Sequence, residues 1–248
     1  GATKIGLYVG RLLKTPVVPH VRLLEDVQYI EKLKFTAKNM PFVIVISEFI
    51  EDAFTDIDIK NRVRIIYDAY ELQYHSSEAQ SAIKKSSICC AGRLVPMKGQ
   101  DVLIGAVSVL FKRNFKATLD IYGEGLQGRA YEADLKRLVS KTHLNSHVKF
   151  KGYFKNVPAE MRFYWAMVCP SHIEPLGRVI FEAWDAGTIP IVGRFSGGAA
   201  EVIIASGGGL LYSEQKPEAM ADVLQECIGM SPKKRAEIVE RGREWLSN

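Results

Sequence analysis

Cysteine is scarce in this chain, and none of it falls in a spacing that does chemistry. Of four cysteines in 248 residues, Cys89 and Cys90 are adjacent and Cys169 and Cys227 stand alone. Neither a disulfide framework nor a zinc-ligand spacing is present. Neighbouring strand residues point to opposite faces, so these thiols read as reduced core side chains of a cytoplasmic protein. A strong charge bias is also missing: 33 Lys and Arg against 28 Asp and Glu leave a formal +5. That is too slight to argue for a nucleic-acid partner, and it is compatible with a basic phosphate cleft or peripheral contact with anionic lipid at the inner face of a membrane. No apolar run approaches a membrane span, the longest obvious one being Pro41–Ser47, which reads as a core strand. Signal peptide, internal repeat and low-complexity tract are not expected. Asp56-Ile57-Asp58 is the single Asp-x-Asp, and it reads as a solvated acidic loop between a helix and a strand. One such pair does not supply the converging oxygens that a hard divalent ion needs, so neither a metal nor a cofactor is expected.

What is present is a run of apolar, β-branched segments alternating with helical patterns from Ser87 onward. This argues for parallel strands with crossover helices. Strands are predicted at Ser87–Ala91, Thr118–Tyr122, Val148–Lys151, Met167–Cys169, Thr188–Val192 and Gly209–Tyr212. The fold class is therefore α/β, a doubly wound parallel sheet of Rossmann-like type. In such sheets ligands bind outside the carboxyl ends of the strands, and here those ends carry the unusual residues.

The richest of these ends runs from Pro170-Ser171-His172-Ile173-Glu174-Pro175-Leu176-Gly177-Arg178 to Glu182. It sets one carboxylate before a helix and a second inside it, with a glycine opening the helix between them. A helix N-terminus offers unpaired N–H groups and a positive dipole end to phosphate, whereas ionised glutamates accept only from donors such as sugar hydroxyls. A sugar nucleotide carries both kinds of group. The first strand end, Gly92-Arg93-Leu94-Val95-Pro96-Met97-Lys98-Gly99, adds two cations suited to a diphosphate, Arg as a planar fork and Lys as a point charge. Gly123-Glu124-Gly125-Leu126-Gln127-Gly128 fits G-x-G-x-x-G, but the following strand ends Lys149-Phe150-Lys151-Gly152 without the carboxylate that a nicotinamide site needs for ribose. These glycines read instead as a tight turn lining the same cleft. His172 neighbours Glu174, although a lone His at a strand end is more often packed or solvated.

With Gly92-Arg93…Lys98-Gly99, the eight-residue step from Glu174 to Glu182 and Gly197-Gly198-Ala199-Ala200-Glu201 in order, the chain resembles the retaining glycosyltransferases of family four, from roughly Ile88 to Leu246. The resemblance implies the C-terminal, donor-binding half of a two-domain GT-B fold. It implies that Arg93 and Lys98 hold the diphosphate, Glu174 the transferred sugar and Glu182 the ribose. The backbone of Leu176, Gly177 and Arg178 would lie against sugar and phosphate, with Gly92, Gly123, Gly152, Tyr153 and Ser171 completing the donor site. His20 and Arg22, after Pro16-Val17-Val18, resemble a place where relatives face the donor sugar, in a motif that departs from the commoner forms. The implied reaction moves a hexosyl unit from a UDP- or GDP-sugar to a carbohydrate or lipid-linked acceptor with retention, as in polysaccharide biosynthesis. A donor-binding half-protein that acts only with a partner, and a sugar-nucleotide epimerase on the same scaffold, are the alternatives.

Residues 1–75 read as part of a second α/β domain, on the acceptor side, with a helix at Leu24–Lys38, a strand at Phe42–Ile46, a short helix at Glu48–Phe54 and a strand at Arg62–Tyr67. A full domain of this kind needs about 150 residues, and about half that length is here. A linker is expected at 76–86, with the donor domain at 87–248. An incomplete domain exposes sheet edges that a missing half or a dimer partner would cover.

Overall fold

The computed structural model describes residues 2–32, 40–73, 83–125 and 130–247. It divides into two compact units, 1–69 and 70–248. Among the described residues, no helix is long and apolar enough to cross a membrane.

The first unit contains α1 (Ala2–Leu12), β1 (His20–Val21), α2 (Leu24–Lys32), β2 (Val43–Val45), α3 (Glu48–Asp52), α4 (Ile57–Lys60) and β3 (Val63–Ile65). Its strands pair in parallel in the order β1-β2-β3. Each predicted strand is trimmed at both ends, and the part of the predicted helix beyond Lys32 lies outside the described residues. α1 had no counterpart in the sequence reading. Asp56-Ile57-Asp58 is also corrected: it is a helix start and not an open loop. The Asp56 carboxylate accepts from Asp58 N at 3.1 Å and Ile59 N at 3.3 Å, capping α4. Glu31 in turn accepts from the Asp56 amide at 2.7 Å.

The second unit carries the larger sheet. Its elements are β4 (Lys84–Ala91), α5 (Gln100–Lys112), β5 (Thr118–Tyr122), α6 (Ala130–Lys141), β6 (Val148–Gly152), α7 (Val157–Met161), β7 (Tyr164–Cys169), α8 (Arg178–Asp185), β8 (Ile189–Gly193), α9 (Gly198–Ser206), β9 (Leu210–Tyr212), α10 (Pro217–Gly229) and α11 (Pro232–Ser247). Strand order is β6-β5-β4-β7-β8-β9, parallel throughout. The chain therefore builds outward from β4 to β6, then returns to β7 and builds the other way. That reversal puts the switch point between β4 and β7, where the loops after both strands diverge and leave a crevice. Of the linker read at 76–86, residues 76–82 lie outside the described residues, and Lys84 to Ser86 already belong to β4. β7 also starts earlier than predicted, at Tyr164. All six of its residues are buried, and a strand covered on both faces has no alternation to mark where it begins.

One face of the sheet packs against α5, α6 and α10 through Leu103, Val107, Leu135, Val139, Met220 and Leu224. α8 presents a different surface, with Phe181 and Trp184 stacked 5.8 Å apart and Trp245 of α11 at 6.1 Å from both. Asp185, which ends α8, is fully buried. It accepts from Tyr70 Oη at 3.0 Å and from the Gln73 amide at 2.8 Å, and the Tyr70 ring meets Phe181 edge-on at 6.2 Å. This ties the start of the second unit to the helix that carries Glu182. Tyr70→Phe leaves a buried carboxylate short of a donor and is expected to destabilise the fold by about 1.5 kcal/mol. Chemical denaturation of wild type and variant reads this directly.

Candidate functional site

The turn after β4 and the turn after β5 are pressed together. Gly92 N donates to Tyr122 O at 3.0 Å, and a Cβ placed on Gly123 would lie 1.9 Å from Gly92 O, at a backbone φ of +132°. Only glycine fits there. From Gly92 the chain passes Arg93, makes a 3-10 turn at Pro96–Lys98 and enters α5. That turn carries Lys98 across to the loop after β7. Lys98 Nζ lies 2.5 Å from Glu174 Oε2, with side-chain exposures of 25% and 17%. Ser171 Oγ donates to the same carboxylate oxygen at 3.0 Å.

Backbone bonds hold the loop after β7 on both sides. His172 N donates to Met97 O at 3.0 Å, and Glu174 N donates to Ser196 O at 3.0 Å. α8 then opens from Gly177, at φ +79°, with no side-chain cap. A Cβ at Gly177 would meet Ala199 Cβ at 3.0 Å and Glu174 Cγ at 3.3 Å. The absence of a side chain lets the helix start lie close against the glutamate. Glu182 follows four residues after Arg178, so both lie on one face of α8.

These pieces enclose a cavity of about 590 Å³, inside the range of about 300–1,000 Å³ usual for small-molecule sites. Gly92, Arg93, Lys98, Gly123, Tyr153, Ser171, Glu174, Gly177, Arg178 and Glu182 all line it. Three predicted neighbours do not. Leu176 is only 2% exposed and its side chain is core, which leaves its backbone as the part near the helix start. Gly152 accepts the Gly123 amide at 2.8 Å from just behind the lining, and the His172 side chain is exposed outside it. His20 and Arg22 belong to the first unit and are not among the lining residues. His20 is exposed at the start of β1, and Arg22 is engaged as a two-point fork by Asp68, one of the contacts being 2.7 Å. That pairing raises the Arg22 pKa.

The family model described as glycosyl transferases group 1 matches residues 75–245, the span that holds every lining residue of this cavity. The chain belongs to this family. Among its relatives is a Methanocaldococcus jannaschii protein described as an uncharacterized glycosyltransferase, 28% identical over 96% of this chain and 66% of its own length. The GDP-mannose-dependent alpha-(1-6)-phosphatidylinositol monomannoside mannosyltransferase of Mycobacterium tuberculosis is 30% identical over 66% of this chain and 43% of its own length. This family member thus spans about two fifths to two thirds of the length of those relatives. In fold it is similar to Anabaena Alr3699/HepE, solved in complex with UDP and glucose, with a TM-score of 0.83 at 23% identity, covering 99% of this chain and 70% of that one. The C-terminal domain of a group 1 family protein from Francisella tularensis aligns over 71% of this chain and 94% of its own, with a TM-score of 0.60 at 23% identity.

Other lining residues of this family member escaped the sequence reading as site residues. Cys90 and Cys169 floor the cavity at the ends of β4 and β7, where burial pushes both thiols up and keeps them protonated. Tyr122, Phe154 and Val157 form an apolar wall, and Glu124 stands beside it. Glu124 was legible as part of Gly123-Glu124-Gly125 and Phe154 as the neighbour of Tyr153. The strand-final cysteines carried no signal beyond their burial.

Burial also raises the pKa of Glu182 above the ordinary 4.5, with the nearby Arg178 charge pulling it back in part. The folded state therefore binds this proton more tightly than the unfolded chain does. The stability it contributes is fully present below pH 4.5 and is lost as the pH rises through the folded value. Glu182→Gln is accordingly expected to raise the melting temperature of the ligand-free protein at neutral pH and to flatten its decline above pH 4.5. Melting curves across pH 4 to 8 check both.

Proposed function

We propose that the second unit is the donor site of a hexosyltransferase that uses a nucleoside-diphosphate sugar. The observation that carries this is the convergence in one cavity of Arg93, Lys98 and the uncapped start of α8 with the two carboxylates of Glu174 and Glu182. Lys98 has three donors. One is used on Glu174, which fixes the ammonium and leaves the others for a phosphate oxygen. Arg93 is exposed at the rim and supplies a planar fork. As the anomeric C–O bond breaks, its electron pair leaves with the diphosphate while positive charge grows on the sugar. Donors preorganised at the phosphate favour that separation. Glu174 accepts from sugar hydroxyls or steadies the cationic ring, and Glu182 accepts from the ribose. Transfer to a carbohydrate or lipid-linked hydroxyl, with retention, rests on the family resemblance.

A panel of UDP-, GDP- and ADP-sugars in a thermal-shift assay tests the donor reading, because a ligand bound only by the native state raises apparent stability. No shift with any of them would refute it. Binding is expected to survive excess EDTA, since two cations and a helix N-terminus already supply the positive field that a metal would bring. A tenfold or greater loss, about 1.4 kcal/mol, restored by magnesium or manganese, would assign the diphosphate to a metal instead.

The length comparison favours a second reading, in which this chain binds donor but transfers only with further polypeptide. Donor hydrolysis and transfer measured for this chain alone, and again with an added acceptor-side domain, separate the two readings.

A further inference from the structure

We propose that Ser196, which does not line the cavity, is a positioning residue that sets the Glu174 carboxylate for the sugar end of the donor. The inference rests on the donor-site reading above and adds a residue, behind the site, on which its sugar half depends. β8 ends at Gly193 and the chain turns there, Ser196 N donating to Gly193 O at 2.9 Å. A Cβ placed on Gly193 would lie 2.8 Å from Ser196 Oγ, so the glycine leaves the room that the hydroxyl occupies. Ser196 is fully buried, and Gly197 then opens α9.

From this position Ser196 holds the loop after β7 at both ends of residues 171–174. Its Oγ donates to Ser171 O at 2.8 Å, and its own carbonyl accepts from Glu174 N at 3.0 Å. Ser171 Oγ donates in turn to Glu174 Oε2 at 3.0 Å. Three residues are thus joined by three hydrogen bonds in a closed ring. Lys98 Nζ lies on the same Oε2, whereas Oε1 has no hydrogen-bond partner among the described residues. Oε1 is the oxygen left to accept from a sugar hydroxyl. A glutamate side chain is rich in rotamers, and the ring fixes this one before a ligand arrives, which spares the binding step that ordering cost. Gln215 makes a second strut, its Nε2 donating to Pro170 O at 2.7 Å. A Cβ placed on Gly99 would lie 2.7 Å from the same nitrogen, so that strut also braces the turn that carries Lys98. Of the two, Ser196 is the one bonded to Glu174.

Calorimetric titration of UDP, UDP-glucose, GDP and GDP-mannose into the whole chain tests the assignment in wild type, Ser196→Ala, Ser196→Cys, Ser171→Ala and the double alanine variant. Thr188→Val is the control, because Thr188 is equally buried, donates to Met161 O at 2.7 Å and lies outside the cavity lining. In whichever series binds, Ser196→Ala is expected to weaken the sugar-bearing donor about five- to tenfold while the nucleoside diphosphate stays within about twofold. Ser196→Cys, which keeps the shape and weakens the bond, is expected to fall between wild type and Ser196→Ala, and it carries the test if Ser196→Ala does not fold. With Ser171→Ala already present, the loss from Ser196→Ala is expected to shrink to about twofold, because the Ser196 hydroxyl reaches the carboxylate through Ser171. Thr188→Val is expected to leave both ligands within about twofold. An equal loss for both ligands overturns the assignment by making Ser196 a general support of the fold. An unchanged sugar-bearing donor, a fully additive loss in the double variant, or the same split in Thr188→Val overturns it as well. If no nucleotide binds wild type, the donor-site reading falls, and this one with it.

Discussion

Lys98→Ala and Arg93→Ala are each expected to weaken nucleoside-diphosphate binding by about 1.5–3 kcal/mol, or roughly ten- to 150-fold, the range for charge-assisted hydrogen bonds. Lys98 is expected to be the larger of the two. Its side chain is only 25% exposed, with the ammonium 2.5 Å from Glu174 Oε2, so its removal also strips the counter-charge from the carboxylate of a side chain that is 17% exposed. That carboxylate then faces the incoming phosphate as a like charge. Arg93 is exposed, and its loss is screened by solvent. Calorimetry with GDP and UDP measures both variants, and thermal melts without ligand show whether the fold is kept. Unchanged affinity in both would remove the diphosphate from this end of the cavity.

Glu182→Gln and Glu174→Gln are expected to separate the two halves of the ligand. Glu182 lies on α8, a turn beyond the helix start, and is read as the ribose acceptor, so its variant should weaken the nucleoside diphosphate itself by about tenfold or more. Glu174 is held by Lys98 and Ser171 at the mouth of the loop after β7. Its variant should leave the nucleoside diphosphate nearly as tight and impair the sugar-bearing donor by a similar factor. Each variant titrated with both ligands gives four affinities. If both variants lose both ligands equally, the division of labour between the carboxylates is wrong. Glu182→Gln carries a further signature, since it should gain stability at neutral pH while losing affinity, the pattern of a carboxyl held in a partly buried place for binding.

Much of this site was legible from local pattern because its residues sit at strand ends and at a helix start. The eight-residue step from Glu174 to Glu182 spans a loop, a glycine and one turn of helix, and each of those is written in adjacent residues. Glu124 was quoted within its glycine turn and read only as part of that turn, because an exposed carboxylate has no local pattern to separate it from a solvated one. The length of β7 was missed for the opposite reason, since complete burial removes the period-two alternation by which a strand is read. Asp56 was read as loop because its capping role depends on the four-residue α4, too short to announce itself by periodicity.

By itself the sequence determined the α/β class, the parallel strands with their glycine-punctuated ends, and the chemical character of the candidate site as cations beside carboxylates. Those properties are set by neighbours within about two turns of helix or one strand. The tertiary structure alone decided which of those residues meet. Lys98 and Glu174 are 76 positions apart, and they pair because β4 and β7 are neighbours in the sheet. The same adjacency brings Arg93 and the start of α8 into one cavity, and the contact of Gly123 with Gly92 sets its floor. Arg22, which the family resemblance set beside the donor sugar, is paired within its own unit by Asp68, 46 positions away. A charge has no direction in sequence, and the strand order supplies it.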